Sequence, residues 1–285
     1  MNREATLGQQ RSAAATGAMA RYALMTSGIG FLILLIALPL TAIFTQAYQG
    51  GLTEFWEAIS SPEAVFSLRY TLTLATATTV INGVMGTLVA YVLARYDFRG
   101  KSLIDSMVDL PIAIPASVTG FTLLLLYGPL GTIGGPLSDV GIRIMFSFPG
   151  ILVAHLFMTF PYVVRAVGPV LQDSERGEEE AAQTLGASGF GVFRYVTLPA
   201  IKSALIVGSI FTFARSLGEF GATIMVSGNL ALRTQTAPLF IFSEFNAGNI
   251  AAASAMSVVL VIISFVLFFG LKIATGKLTF GGATQ

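Results

Sequence analysis

Long apolar runs alternate with short polar joints along most of this chain. Six runs are long enough to cross a bilayer, which takes about 20 apolar residues in a helix. They cover roughly residues 22–47, 67–94, 103–127, 148–171, 201–226 and 250–271. The pattern predicts an all-α integral membrane protein with six transmembrane helices. The first run exceeds the apolar core of about 7–15 residues expected of a signal peptide, so it reads as an uncleaved span.

The joints differ in character. Residues 1–20 are polar and small without periodicity, and predict a flexible tail; residues 21–285 then form a single transmembrane domain. "GGLTEFWEAISSPEAVF", between the first two spans, has amphipathic spacing and predicts a short interfacial helix. "GPLGTIGGPLSD", after the third, is rich in Gly and Pro and predicts a loop. The third run itself is irregular, because "DLPIAIP" places Pro111 and Pro115 inside it. One reading is a simple kink. The other is a discontinuous helix lining a cavity, where freed backbone groups find partners.

Charge gives the spans a direction. With the N-terminus inside, eleven basic residues fall on the inner side and three on the outer side (Arg69, Arg143 and Arg233). Such a bias places both termini in the cytoplasm, together with the loop at 172–200. The chain is 54% hydrophobic and 11% charged, against about 25% charge in soluble domains. A net charge of +1 gives no argument for nucleic acid. The absence of cysteine excludes disulfides, thiolate metal sites and cysteine nucleophiles.

No enzyme constellation stands out. The single histidine, His155, lies in the fourth span. It reads as a structural hydrogen-bonding group, with a metal or proton role as the alternative. "RGKS" at 99–102 lacks the earlier glycine of a phosphate loop, since Arg95 stands there. "GASGFG" at 186–191 has its glycines in the wrong order for a dinucleotide site. Energy for any driven process is therefore expected from another chain or from an ion gradient.

Arg215 and Glu219 lie four residues apart in the fifth span, on one helical face. Charges at membrane depth face the bundle interior or a wet cavity. They form either a structural ion pair or part of a pathway lining, with Gly218 and Gly221 allowing close packing or motion. In "PASVTG" at 115–120, Ser117, Thr119 and the helix start after Pro115 offer donors to an anion. Those hydroxyls equally bond back to their own helix.

The 172–200 loop gathers five of the fifteen acids between Asp173 and Glu180. It divides into helical pieces at about 174–185 and 188–197. Acids early in a helix suit its positive end. Gly186 ends the first piece. Phe190, Phe193 and Val196 or Thr197 fall near one face of the second, and Pro199 starts the fifth span. An exposed apolar knob ringed by charge marks a docking surface. The acids argue against its resting on the negative inner leaflet.

"EAA" at 180–182, then three residues, Gly186, nine residues and "VTLP" at 196–199 resembles the EAA motif of bacterial and archaeal ABC-importer permeases, with Val196 where isoleucine is usual. The resemblance implies a type I ABC-importer permease fold. It makes the loop a coupling helix, seated in a groove of a cytoplasmic ATPase. The coupling residues would be Glu178, Glu179, Glu180, Ala181, Ala182, Leu185, Gly186, Phe190, Phe193, Leu198 and Pro199. Pro111, Pro115, Ser117, Thr119, Arg215, Gly218 and Glu219 would line the translocation path.

Residues 82–120 and "PYVVRAVGPVLQD" at 161–173 resemble the sulfate/thiosulfate permease subunits. "FARSLGEFGATIMVSGN" at 213–229 is similar to both those and the molybdate/tungstate permeases. The resemblance implies import of a tetrahedral oxyanion across the cell (inner) membrane by a multi-pass subunit, with sulfate or thiosulfate favoured. Expected partners are two ATPase subunits that use Mg-ATP, a second permease subunit and an external oxyanion-binding protein. That second permease is a related chain or an identical copy. No catalytic residue, metal, cofactor or nucleic acid is expected on this chain. An ion-coupled secondary transporter is the alternative class, which one histidine, one central carboxylate and no repeat argue against.

Overall fold

The computed structural model describes residues 3–174 and 176–279, and every regular element among them is helical. Only helices and closed barrels satisfy all backbone groups inside a bilayer, which accounts for this uniformity. Helix α1 (Arg3–Ala47) leads through a turn to α2 (Gly51–Ser60) and the long α3 (Pro62–Arg95). Ser61 caps α3, accepting from Ala64 N at 3.3 Å, and Pro62 sits in its first turn, where a missing N–H costs nothing. Next come α4 (Lys101–Val108), α5 (Leu110–Ala113), α6 (Ala116–Tyr127) and α7 (Gly134–Asp139). The long α8 (Phe148–Asp173) precedes α9 (Arg176–Thr184), α10 (Gly189–Val192), a π-turn (Phe193–Thr197) and α11 (Leu198–Leu217). Short helices α12 (Gly221–Ser227) and α13 (Ala237–Asn246) precede the last, α14 (Ile250–Thr279).

Five helical stretches are long and apolar enough to cross a membrane: 21–47, 62–95, 148–173, 189–217 and 250–270. A sixth exists if the pair Lys101–Ala113 and Ala116–Tyr127 is one broken span. That pair is bent by 110° at Ile114–Pro115, so the simple kink expected of the third run is replaced by a true discontinuity. The ring of Pro115 blocks the helical bond back along the chain. Packing of α6 against α12 then sets the new direction.

The fifth run also differs from its prediction at 201–226. It is helical from Gly189 and stops at Leu217, while α12 is a separate short helix. The first six residues of the Gly/Pro-rich joint are irregular as predicted, and the last six form α7. The predicted amphipathic helix is present as α2. Residues 3–20, predicted as a flexible tail, extend α1 as helix; the alanine-rich "RSAAATGAMA" has high helix propensity.

Helix α8 is the centre of the bundle, packed on α3 and α11. Its Val163 is fully buried between two glycines. A Cβ at Gly86 of α3 would lie 2.9 Å from Val163 Cβ, and one at Gly208 of α11 would lie 3.0 Å from Val163 Cα. Small residues at such crossings let helices approach closely, which drives association where lipid is as apolar as the side chains. One core cluster joins Leu74, Met145, Ile151 and Val226; another joins Leu93, Val167, Leu171 and Ile201. Helix α1 lies outside this core, packed on α14, with Leu24, Leu32, Leu34, Leu35 and Leu38 exposed.

Candidate functional site

Two regions hold the predicted site residues. The first is the knob between α8 and α11. Helix α9 ends in a Schellman arrangement: Gly186 N donates to Gln183 O at 2.9 Å, and Ala187 N donates to Ala182 O at 3.0 Å. That closure needs a left-handed residue, and Gly186 has φ +89°. Ser188 starts α10 by accepting from Gly191 N at 3.2 Å. The π-turn then carries the helix past Pro199, with Leu198 N bonded five residues back to Phe193 O. The wider turn removes the need for a Pro199 donor.

The predicted coupling residues divide into two faces. Glu178, Glu180 and Ala181 are exposed, as are Gly186 and Pro199. Leu185 is 89% exposed and Phe190 73%. Tyr195, 76% exposed, joins them and was not anticipated. Phe193 faces the other way, half-buried and edge-on to Tyr91 of α3 at 6.4 Å, so it anchors the knob to the bundle. Ala182 and Leu198 are likewise half-buried.

Glu179 also turns inward. Its Oε1 accepts from Arg95 Nη2 at 2.8 Å and from Thr197 Oγ1 at 3.0 Å. The Arg95 and Glu179 side chains are only 7% and 12% exposed. Removing one partner of such a buried pair costs roughly 3–5 kcal/mol. Nothing in the sequence links Arg95 to Glu179, because the two lie 84 residues apart.

The second region is a polar seam inside the bundle. Asn82 of α3 donates to Leu156 O at 3.1 Å and Thr159 Oγ1 at 2.9 Å. His155 Nδ1 shares a hydrogen bond with Ser216 Oγ at 2.6 Å, and Nε2 another with Thr223 Oγ1 at 3.0 Å. Both ring nitrogens of His155 thus have hydroxyl partners, which fits a structural histidine. No group of metal-ligating side chains occurs among the described residues.

The Arg215–Glu219 pair closes this seam at 2.6 Å, with the Glu219 side chain fully buried. The two do not share a helix, since α11 ends between them. Glu219 Oε1 instead accepts from Ala222 N at 2.9 Å and opens α12. Gly218 has open space around its Cα, whereas a Cβ at Gly221 would lie 2.7 Å from Ala116 Cβ. One at Gly120 would lie 2.6 Å from Ala222 O. The starts of α6 and α12 therefore touch, bringing "PASVTG" and "RSLGEFG" together. Pro111 is buried, Pro115 and Ser117 are exposed, and the Thr119 hydroxyl is buried without a partner among the described residues.

Arg165 of α8 forms a third charged cluster. Its Nε and Nη2 hold both Asp109 oxygens at 2.8 Å, and Nη1 holds Asp105 Oδ1 at 2.6 Å. The fork ties the arm α4–α5 of the broken pair to α8.

Comparison with known proteins accords with this geometry. The family described as binding-protein-dependent transport system inner membrane component matches residues 82–278. The sulfate transport system permease protein CysT of Salmonella typhimurium is 40% identical over 242 residues, covering 85% of this chain and 87% of that protein. The sulfate transport system permease protein CysW of Synechocystis is 39% identical over 246 residues, covering 86% and 89%. In fold, the chain is similar to one from a bacterial ABC transporter that imports the acidic polysaccharide alginate. The TM-score is 0.78 at 15% identity, over 95% of this chain and 99% of that one. The chain belongs to the family of inner membrane components of binding-protein-dependent transport systems.

Proposed function

We propose that this chain is a permease subunit of an ATP-driven importer for a tetrahedral oxyanion, with sulfate or thiosulfate as substrate. The observation that carries the reading is the exposed knob: EAA spacing, a glycine closure at Gly186, and an outward apolar face of Leu185, Phe190 and Tyr195. An apolar surface of that kind, ringed by Glu178 and Glu180, fits a groove on a cytoplasmic ATPase subunit. The substrate follows from the printed names of relatives at 39–40% identity. The CysT and CysW relatives are both named as sulfate permeases, which supports pairing with a related second permease. Two ATPases using Mg-ATP and an external binding protein complete the assembly.

In this reading the broken pair counts as one span, giving six, with both termini and the knob in the cytoplasm. The touching starts of α6 and α12, with Arg215 and Glu219 beside them, flank the path. Movement of the knob alternates access to that path. The test is uptake of labelled sulfate by the assembled complex in liposomes, with molybdate and tungstate as competitors. Sulfate uptake that needs ATP and resists both competitors supports the reading. Uptake by the purified chain without an ATPase would overturn it, and preferential uptake of molybdate would reassign the substrate.

A further inference from the structure

Arg95 ends α3, and its guanidinium ties that helix to α8 and α9. Nη1 donates to Leu171 O in the last turn of α8 at 2.7 Å. Nη2 donates to Ser174 Oγ at 2.7 Å and to Glu179 Oε1 of α9 at 2.8 Å. The same Glu179 oxygen takes the Thr197 hydroxyl of the π-turn. Carbonyls in the last helical turn lack intrahelical partners and favour a cation. A planar fork reaches the Leu171 carbonyl and the carboxylate together, which a lysine point charge does not. Burial of both partners strengthens the contact and leaves little room for water to replace it.

The knob is thus free on one face and pinned on the other. Leu185, Phe190 and Tyr195 point out, while Glu179 and Phe193 hold the inner face to α3. Among the described residues, Glu179 is the α9 side chain that is ion-paired to a span. A displacement applied to the outer face runs along the backbone into α11, and this inner attachment gives it a second route, into α3 and α8. We propose that Arg95 is a positioning residue that carries movement of the knob into α3 and α8, with Glu179 and Thr197 as its receiving partners. The transmission part rests on the reading of the knob as the ATPase-docking element.

The experiment has two arms, using Arg95→Gln, Glu179→Gln and Arg95→Lys. In the first, amide hydrogen exchange is followed across residues 176–184 of the full chain in detergent. Loss of the buried contact should speed exchange there by about a hundredfold or more in both Gln variants, and less in Arg95→Lys. Unchanged exchange would overturn the attachment itself. In the second, sulfate uptake per ATP hydrolysed is measured for the assembled complex in proteoliposomes. The ratio should fall by about tenfold or more in the Gln variants. Arg95→Lys should retain an intermediate ratio. A merely structural role would lower assembly, uptake and hydrolysis together and leave the ratio unchanged, which would overturn transmission. A wild-type complex with no ATP-driven uptake would sink the functional reading and transmission with it, while the exchange arm still decides the attachment.

Discussion

Glu219 has no exposed side-chain surface in an apolar bundle, so its charge must be compensated on the spot. Arg215 supplies the opposite charge and Ala222 N a hydrogen bond. Glu219→Ala removes both and should lower the stability of the detergent-solubilised permease by roughly 2 kcal/mol, below the fully buried case because Arg215 is a third exposed. Glu219→Gln keeps an oxygen for Ala222 and should lose less. Thermal unfolding midpoints of the two variants read the hydrogen bond to Ala222, and a Glu219→Gln midpoint equal to wild type would remove the ion pair from the account. His155→Leu should cost more than its volume suggests. It leaves the Ser216 and Thr223 hydroxyls buried without the ring nitrogens, at about 1–3 kcal/mol each. A His155→Leu midpoint no lower than wild type would show that those hydroxyls find other partners. The spacing of Arg215 and Glu219 made their pairing legible in the sequence. The partners of His155 were not, because they lie 61 and 68 residues away and only packing of α11 and α12 on α8 brings them in.

At the scale of elements, the two breaks that shape the interior have unequal signatures. Pro115 announces its break, yet proline fixes only where a helix stops, and the 110° turn depends on what α6 then packs against. The stop after Leu217 has no proline; Glu219 capping Ala222 starts a new helix there. Knob boundaries were far more legible, because Gly186 and Pro199 act through local backbone chemistry alone. The packing of α6 on α12 yields a sharp test. Gly120→Ala would set its Cβ 2.6 Å from the Ala222 carbonyl oxygen, a backbone atom that cannot swing aside. Overpacking of this kind should cost about 1–3 kcal/mol and displace α6. Gly270→Ala, in the interior of α14 with nothing within 4 Å and no proline after it, should instead be neutral or stabilising, by up to about 1 kcal/mol from helix propensity. The two midpoints measured side by side separate close packing from glycine content. A tolerated Gly120→Ala would refute the contact between α6 and α12.

For the whole molecule, direction in the membrane decides which side the knob faces, and the chain is well suited to measuring it. It has no native cysteine, so a single introduced one is the sole thiol. Leu185 lies on the knob beyond the C-terminal end of α8 and is 89% exposed. Leu130, in the joint between α6 and α7 before the N-terminal end of α8, is fully exposed. In the proposed orientation the knob lies in the cytoplasm and the α6–α7 joint outside. A membrane-impermeant maleimide applied to intact cells should therefore label Leu130→Cys and spare Leu185→Cys. In inverted vesicles the pattern should reverse. Labelling of Leu185→Cys in inverted vesicles should also slow when the ATPase subunits are present, because an occupied groove covers the outer face of the knob. Labelling of Leu185→Cys in intact cells would invert the topology and place the knob where no cytoplasmic ATPase reaches it. Accessibility unchanged by the ATPases would separate the EAA loop from docking even with the topology upheld.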